Sequence, residues 1–134
     1  INNYPATNEV NLSTDSPDGY VPGLEKTFTL AGNAKVIVNV QVRAASLCPS
    51  LTICNRNVTW LFIEIDGSNV SGQTISLEDD KTITCNTQRS FQLGAGTHTI
   101  KYKGSLTGGG QNVRIGDYPG TIPSSYMDVT IIEE

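Results

Sequence analysis

Val36, Val38, Val40 and Val42 alternate with Ile37, Asn39, Gln41 and Arg43. A period of two sustained over that length, rich in β-branched residues, predicts a half-buried β-strand. The same period recurs at Thr59–Gly67, where Leu61, Ile63 and Ile65 form one apolar face. Trp60 and Phe62 fall on the opposite face, followed there by Glu64 and Asp66. A third alternating run puts His98, Ile100 and Tyr102 on one side, and the last, Tyr126–Ile132, points Met127, Val129 and Ile131 inward. Shorter strands are predicted at Lys26–Leu30, Gln73–Leu77, Lys81–Cys85, Arg89–Leu93 and Asn112–Ile115. Turn-forming residues separate them: Pro22-Gly23, Gly32-Asn33, Asp66-Gly67, Gly94-Ala95-Gly96 and Gly108-Gly109-Gly110.

No stretch has helical spacing. The predicted fold class is all-β, a β-sandwich or jelly roll of roughly eight to ten antiparallel strands. No linker or internal repeat divides the chain, so its 134 residues read as one domain. Residues 1–19, rich in Asn, Pro, Ser, Thr and Asp, read as an extended lead-in with room for one short edge strand. One feature breaks the pattern. Two large aromatics, Trp60 and Phe62, on a nominally outer face call for cover, from another sheet edge or from a neighbouring subunit.

Composition narrows the function classes. Charged residues make up only 16% and the net charge is −4, with no basic stripe to neutralise phosphates. Nucleic acid and an anionic membrane surface are therefore not expected partners. No apolar run approaches the ~20 residues that span a bilayer. The chain opens on Ile1-Asn2-Asn3-Tyr4-Pro5 without an initiator Met, and is expected to be a mature or excised segment of something longer.

Cys48, Cys54 and Cys85 are the three cysteines. Cys48 and Cys54 bracket a short stretch between two predicted strands, the natural place for a disulfide-closed loop. Cys48–Cys54 is the preferred pair and Cys54–Cys85 the second, with free buried thiols as the alternative. A zinc site would need four ligands, and the single histidine, His98, is far away in sequence. A bridge would place the protein outside the cytosol, secreted or at the cell surface.

Little here resembles catalytic machinery. His98 sits in a predicted strand beside Ile100 and reads as a packed, hydrogen-bonded residue. Glu64 and Asp66 are one same-face carboxylate pair, and a solvated strand face explains them. Glu78-Asp79-Asp80 lacks the spaced oxygen donors of a calcium loop. The expectation is a protein that is not an enzyme and carries no metal or cofactor. Sugar sites want an aromatic face for stacking, with directed donors and acceptors around it. Arg114, Asp117, Tyr118 and Tyr126 supply these types near one end of the domain, with Trp60, Tyr102 and Arg89 contributed by neighbouring strands.

Tyr20-Val21-Pro22-Gly23-Leu24 leading into the Val36–Val42 strand, with Ile115-Gly116-Asp117-Tyr118 and the terminal Tyr126–Ile132 strand, resembles tumour-necrosis-factor-like and complement-type jelly rolls. Within that group the chain is similar to bacterial trimeric lectins for fucosylated glycans. The resemblance implies a homotrimer with sugar sites between subunits, where Asp117 accepts hydrogen bonds from sugar hydroxyls and Tyr118 or a neighbouring aromatic lines the pocket. Arg114 would stand in for an arginine those lectins place shortly before the acidic residue. The rival expectation is a structural or protein-binding β-sandwich of a larger surface or appendage protein.

Overall fold

A computed structural model describes residues 2–13, 16–47, 57–77, 82–108, 112–117 and 124–134. Ten strands account for nearly all of them: β1 (Asn2–Pro5), β2 (Glu9–Leu12), β3 (Asp18–Leu30), β4 (Ala34–Leu47), β5 (Asn57–Ile65), β6 (Ser68–Leu77), β7 (Thr82–Leu93), β8 (Gly96–Gly108), β9 (Asn112–Gly116) and β10 (Tyr126–Glu133). Every pairing is antiparallel.

β4, the run of alternating valines, is the central strand of one sheet. Along one edge it pairs with β7 over Ala34–Ala45. Along the other it pairs first with β10, over Ala34–Gln41, and then with β9, over Ala44–Leu47. β9 and β10 therefore lie end to end in one lane, flanked in turn by β2 and β1. The second sheet has the order β3-β8-β5-β6. With β1/β2 and β9/β10 each counted as one interrupted strand, the pairs nest: the first with the last, β3 with β8, β4 with β7, β5 with β6. A chain doubled on itself and then rolled has this connectivity, that of a jelly roll.

The inward faces of both sheets form one core. Val36, Val38, Val40, Val42, Met127 and Val129 meet Leu61, Ile63, Ile65, Ile100 and Tyr102 across it, all buried. The predicted inward positions of the four alternating runs are these residues, with two exceptions: His98 lies at the rim where β8 begins, and Ile131 is only partly buried against the core. Gly104 lets the sheets close: a Cβ there would fall 2.5 Å from Ile115 and 3.0 Å from Leu12.

Three expectations change. The lead-in carries two short strands, and their connection sits on glycine: a Cβ on Gly23 would lie 2.5 Å from the Pro5 carbonyl oxygen. The strands expected separately at Lys81–Cys85 and Arg89–Leu93 are one continuous strand, β7. Asn86-Thr87-Gln88 is the polar stretch between the two. On an edge strand, however, Asn86 and Gln88 face solvent, while Thr87 turns inward and donates to Gln73 of β6. Cys85 is buried and free, so the Cys54–Cys85 pairing is not made. The Cys48–Cys54 bridge lies outside the described residues.

Candidate functional site

Alternation along β5 sends Leu61, Ile63 and Ile65 into the core and leaves Trp60, Phe62 and Glu64 on the outer face of the β3-β8-β5-β6 sheet. Register then assembles three rows across the four strands. Asp18, Ser105, Trp60 and Thr74 form the first; Tyr20, Lys103, Phe62 and Gly72 the second; Glu25, Lys101, Glu64 and Asn69 the third.

Two parallel rings form the centre. The Trp60 and Phe62 rings lie parallel within 5°, their centroids 6.1 Å apart. Phe62 leans onto β6 where Gly72 has no side chain, and a Cβ at Gly72 would come within 3.1 Å of two of its ring carbons. Trp60 remains 40% exposed and Tyr20 46%. Among the described residues no other element covers this face.

The charges beside it are mutually engaged. Tyr20 Oη lies 3.0 and 2.9 Å from the two carboxylate oxygens of Glu64, to which it donates. Lys103 Nζ stands 3.5 Å from the same carboxylate and 5.8 Å from the Phe62 ring centroid. Lys101 Nζ sits 4.8 Å from the Tyr20 ring centroid and 3.8 Å from Glu25. Glu64 is thus only 6% exposed, although it occupies an outward position. The solvated carboxylate pair expected of Glu64 and Asp66 does not form. Tyr20 and Lys103 close over Glu64, and Asp66 lies in the following turn at φ 53°, bonded to His98 and to the Thr99 N–H.

The anticipated loop site has a different geometry. Asp117 is 4% exposed and turns its carboxylate inward. Oδ2 accepts from the N–H groups of Ser124 and Ser125, and Oδ1 from the Ser124 hydroxyl, each at 2.8 Å. Burial pushes this carboxyl up, but the N–H groups and hydroxyls of Ser125 and Ser124 outweigh it and hold it below its ordinary value. Asp117 ties off the point where the chain leaves β9 and re-enters the same lane as β10. No oxygen of it is turned outward to read a sugar.

Of the seven predicted binding residues, the six that are described do not converge. Trp60 is on the platform. Tyr102 belongs to the core, 2% exposed, where its ring offers no face to a ligand. Arg114 and Tyr126 point outward from the opposite sheet, and the Tyr126 hydroxyl is 3.4 Å from Gln41 Oε1. Arg89 lies on the edge strand β7, and Tyr118 lies outside the described residues. Tyr20, Lys101, Lys103 and Gly72 were not singled out from the sequence. Lys101 and Lys103 alternate with Ile100 and Tyr102, which marks them as outward. Only the pairing of β3 and β5 with β8 shows that they adjoin the aromatics.

No protein-family model matches the chain, and no curated protein matches it. Among solved structures it is similar to the EclA C-terminal domain, described as a sugar-binding protein, at 14% identity and a TM-score of 0.48, over 93% of this chain and 79% of that one. It is also similar to the infectious bursal disease virus structure of the Gt strain, at 12% identity and a TM-score of 0.35, over 98% of this chain and 37% of the viral one. At these levels neither likeness decides the function.

Proposed function

We propose that the chain is a non-catalytic carbohydrate-binding module that holds a glycan against the outer face of the β3-β8-β5-β6 sheet. The observation that carries this reading is Trp60: a 40% exposed indole, parallel to Phe62, in register between the hydroxyl-bearing Ser105 and Thr74. The C–H face of a pyranose stacks on such a ring, and hydroxyls at its margin exchange hydrogen bonds with those of the sugar. Lys103 with Glu64 and Lys101 with Glu25 cancel in pairs, so the face favours a neutral sugar over an acidic one. The setting proposed is extracellular, with several copies engaging glycans together to raise a weak single-site affinity. A fucosylated glycan and a homotrimer are the specific forms that the jelly-roll lectin resemblance adds.

A glycan array spanning neutral, fucosylated and acidic sugars, followed by calorimetry on the hits, tests it. Binding to neutral glycans that disappears in Trp60→Ala is expected; a flat array would end the sugar reading. One observation favours a second reading. Trp60 and Phe62 form an apolar patch on an otherwise polar sheet face, as a subunit contact would. Light scattering decides between them: an oligomer that Trp60→Ala dissociates makes the platform a contact between copies.

A further inference from the structure

β7 is a sheet edge of 12 residues, and no other described strand pairs with its far side. Such an edge is a template for another strand unless something blocks it. β7 holds no proline and no glycine, and its one charged residue is Arg89.

The direction of the main-chain groups follows from β4. Arg43 N–H donates to Ser125 Oγ at 2.9 Å, on the side of β4 that faces β9 and β10. Main-chain polar groups alternate sides along a strand, so Val38, Val40 and Val42 aim theirs at β7. Their partners Arg89, Thr87 and Cys85 aim back at β4. Gln88 and Ser90, lying between and beyond them, present N–H and C=O to the free edge.

Arg89 is opposite Val38, which is wholly buried, so its register is inward, yet its side chain is exposed. The guanidinium curls round the strand, and its Nη1 donates to the Gln88 carbonyl oxygen at 2.9 Å. A free edge acceptor is thereby occupied, and a positive charge stands where an incoming strand would lie. We propose that Arg89 is the guard of the β7 edge, and that it prevents a second copy of this chain from adding to the sheet there.

The test compares wild type with Arg89→Thr and Arg89→Gln by light scattering on gel filtration over a range of concentrations, with circular dichroism to show the fold is kept. Both variants are expected to reach at least twice the wild-type mass as concentration rises. Ser90→Pro, added to either, removes an N–H from the free edge while leaving the bonds to β4, and is expected to restore the wild-type mass. Variants that keep the wild-type mass at every concentration overturn the proposal. So does association that Ser90→Pro fails to reverse, because it would arise away from this edge.

Discussion

Tyr20 and Glu64 sit on strands separated by β8, and the Tyr20 phenol reaches across it to donate to both oxygens of the Glu64 carboxylate, at 3.0 and 2.9 Å. The bond needs the neutral phenol. Ionising it would break the bond and set two negative charges side by side, so the hydrogen bond to Glu64, with desolvation and the carboxylate's charge, raises the Tyr20 pKa above 10.0. Following phenolate absorbance through alkaline titration, Glu64→Gln should bring one tyrosine back toward the ordinary range. Tyr20→Phe should remove that same transition. Superimposable curves for wild type and Glu64→Gln would show that the contact does not hold in solution.

A second pair gives the domain a pH signature. His98 Nδ1 is 2.7 Å from Asp66 Oδ2 and Nε2 is 2.9 Å from the Gly94 carbonyl oxygen, so both nitrogens face acceptors and the charged imidazolium fits best. The bond to Asp66, then that to Gly94, raises the His98 pKa above 6.5. The bond from His98, then the Thr99 N–H, lowers that of Asp66. A raised histidine stabilises the fold below its unfolded pKa and loses that contribution as pH climbs through the folded one. A lowered carboxylate stabilises above its unfolded pKa and loses it as pH falls through the folded one. The pair is therefore strongest between the two folded pKa values. Asp66 is half-exposed and screened, which holds the effect to under about 1 kcal/mol. Urea midpoints measured from mildly acidic to alkaline buffer should drop on the alkaline side in wild type. Asp66→Asn should flatten that drop, and an unchanged slope would mean the pair contributes nothing.

Wherever alternation ran unbroken, the sequence was readable. Val36–Val42, Leu61–Ile65 and Met127–Ile131 are core strands because a period of two with one apolar face has a single way to be buried. The nested pairing was not legible in the chain, since no local pattern says which strand lies beside which; only the jelly-roll resemblance pointed toward it. That is also why the platform was half seen. Trp60 and Phe62 stood out as misplaced aromatics, but Tyr20 comes 40 residues before Trp60 in the chain and joins it only through β8. The surroundings of Asp117 were illegible for a different reason. An acidic residue beside a glycine and a tyrosine looks like a ligand reader, and nothing in that stretch announces that Ser124 and Ser125 return to bind it.

Asp117 carries the junction between β9 and β10, and its loss should be felt as instability. Asp117→Ala leaves the N–H groups of Ser124 and Ser125 without their acceptor in a buried setting, a cost of about 1–3 kcal/mol. Because the carboxyl is held below its ordinary value, its contribution is present above the unfolded pKa and fades as pH falls through the folded one. Urea unfolding at neutral pH should show the full loss for Asp117→Ala. In acid the gap between variant and wild type should narrow. A variant as stable as wild type at neutral pH would relieve Asp117 of this role.

Cys85 should resist thiol reagents while the protein is folded. It is 7% exposed, and burial raises its pKa, so little thiolate forms and little of it can be reached. Alkylation followed by peptide mapping should find Cys85 unlabelled in native buffer and fully labelled in denaturant. Rapid native labelling would place this stretch of β7 in an open state much of the time.

Gly72 offers a way to disturb the platform without altering any aromatic residue. A side chain there must begin 3.1 Å from two carbons of the Phe62 ring, tighter than ordinary van der Waals contact. Valine adds branched bulk at that point and suits a strand, so the fold should persist while Phe62 is pushed off its seat. Trp60, whose ring lies parallel to that of Phe62, then loses its aromatic partner. Gly72→Val is therefore expected to shift tryptophan emission and to weaken binding to any neutral glycan the wild type retains, with the far-ultraviolet spectrum unchanged. Trp60→Ala should abolish that binding without lowering the melting midpoint, because the indole is already 40% exposed. If Gly72→Val bound as tightly as wild type with altered tryptophan emission, Trp60 alone would suffice and the paired rings would have no part in recognition.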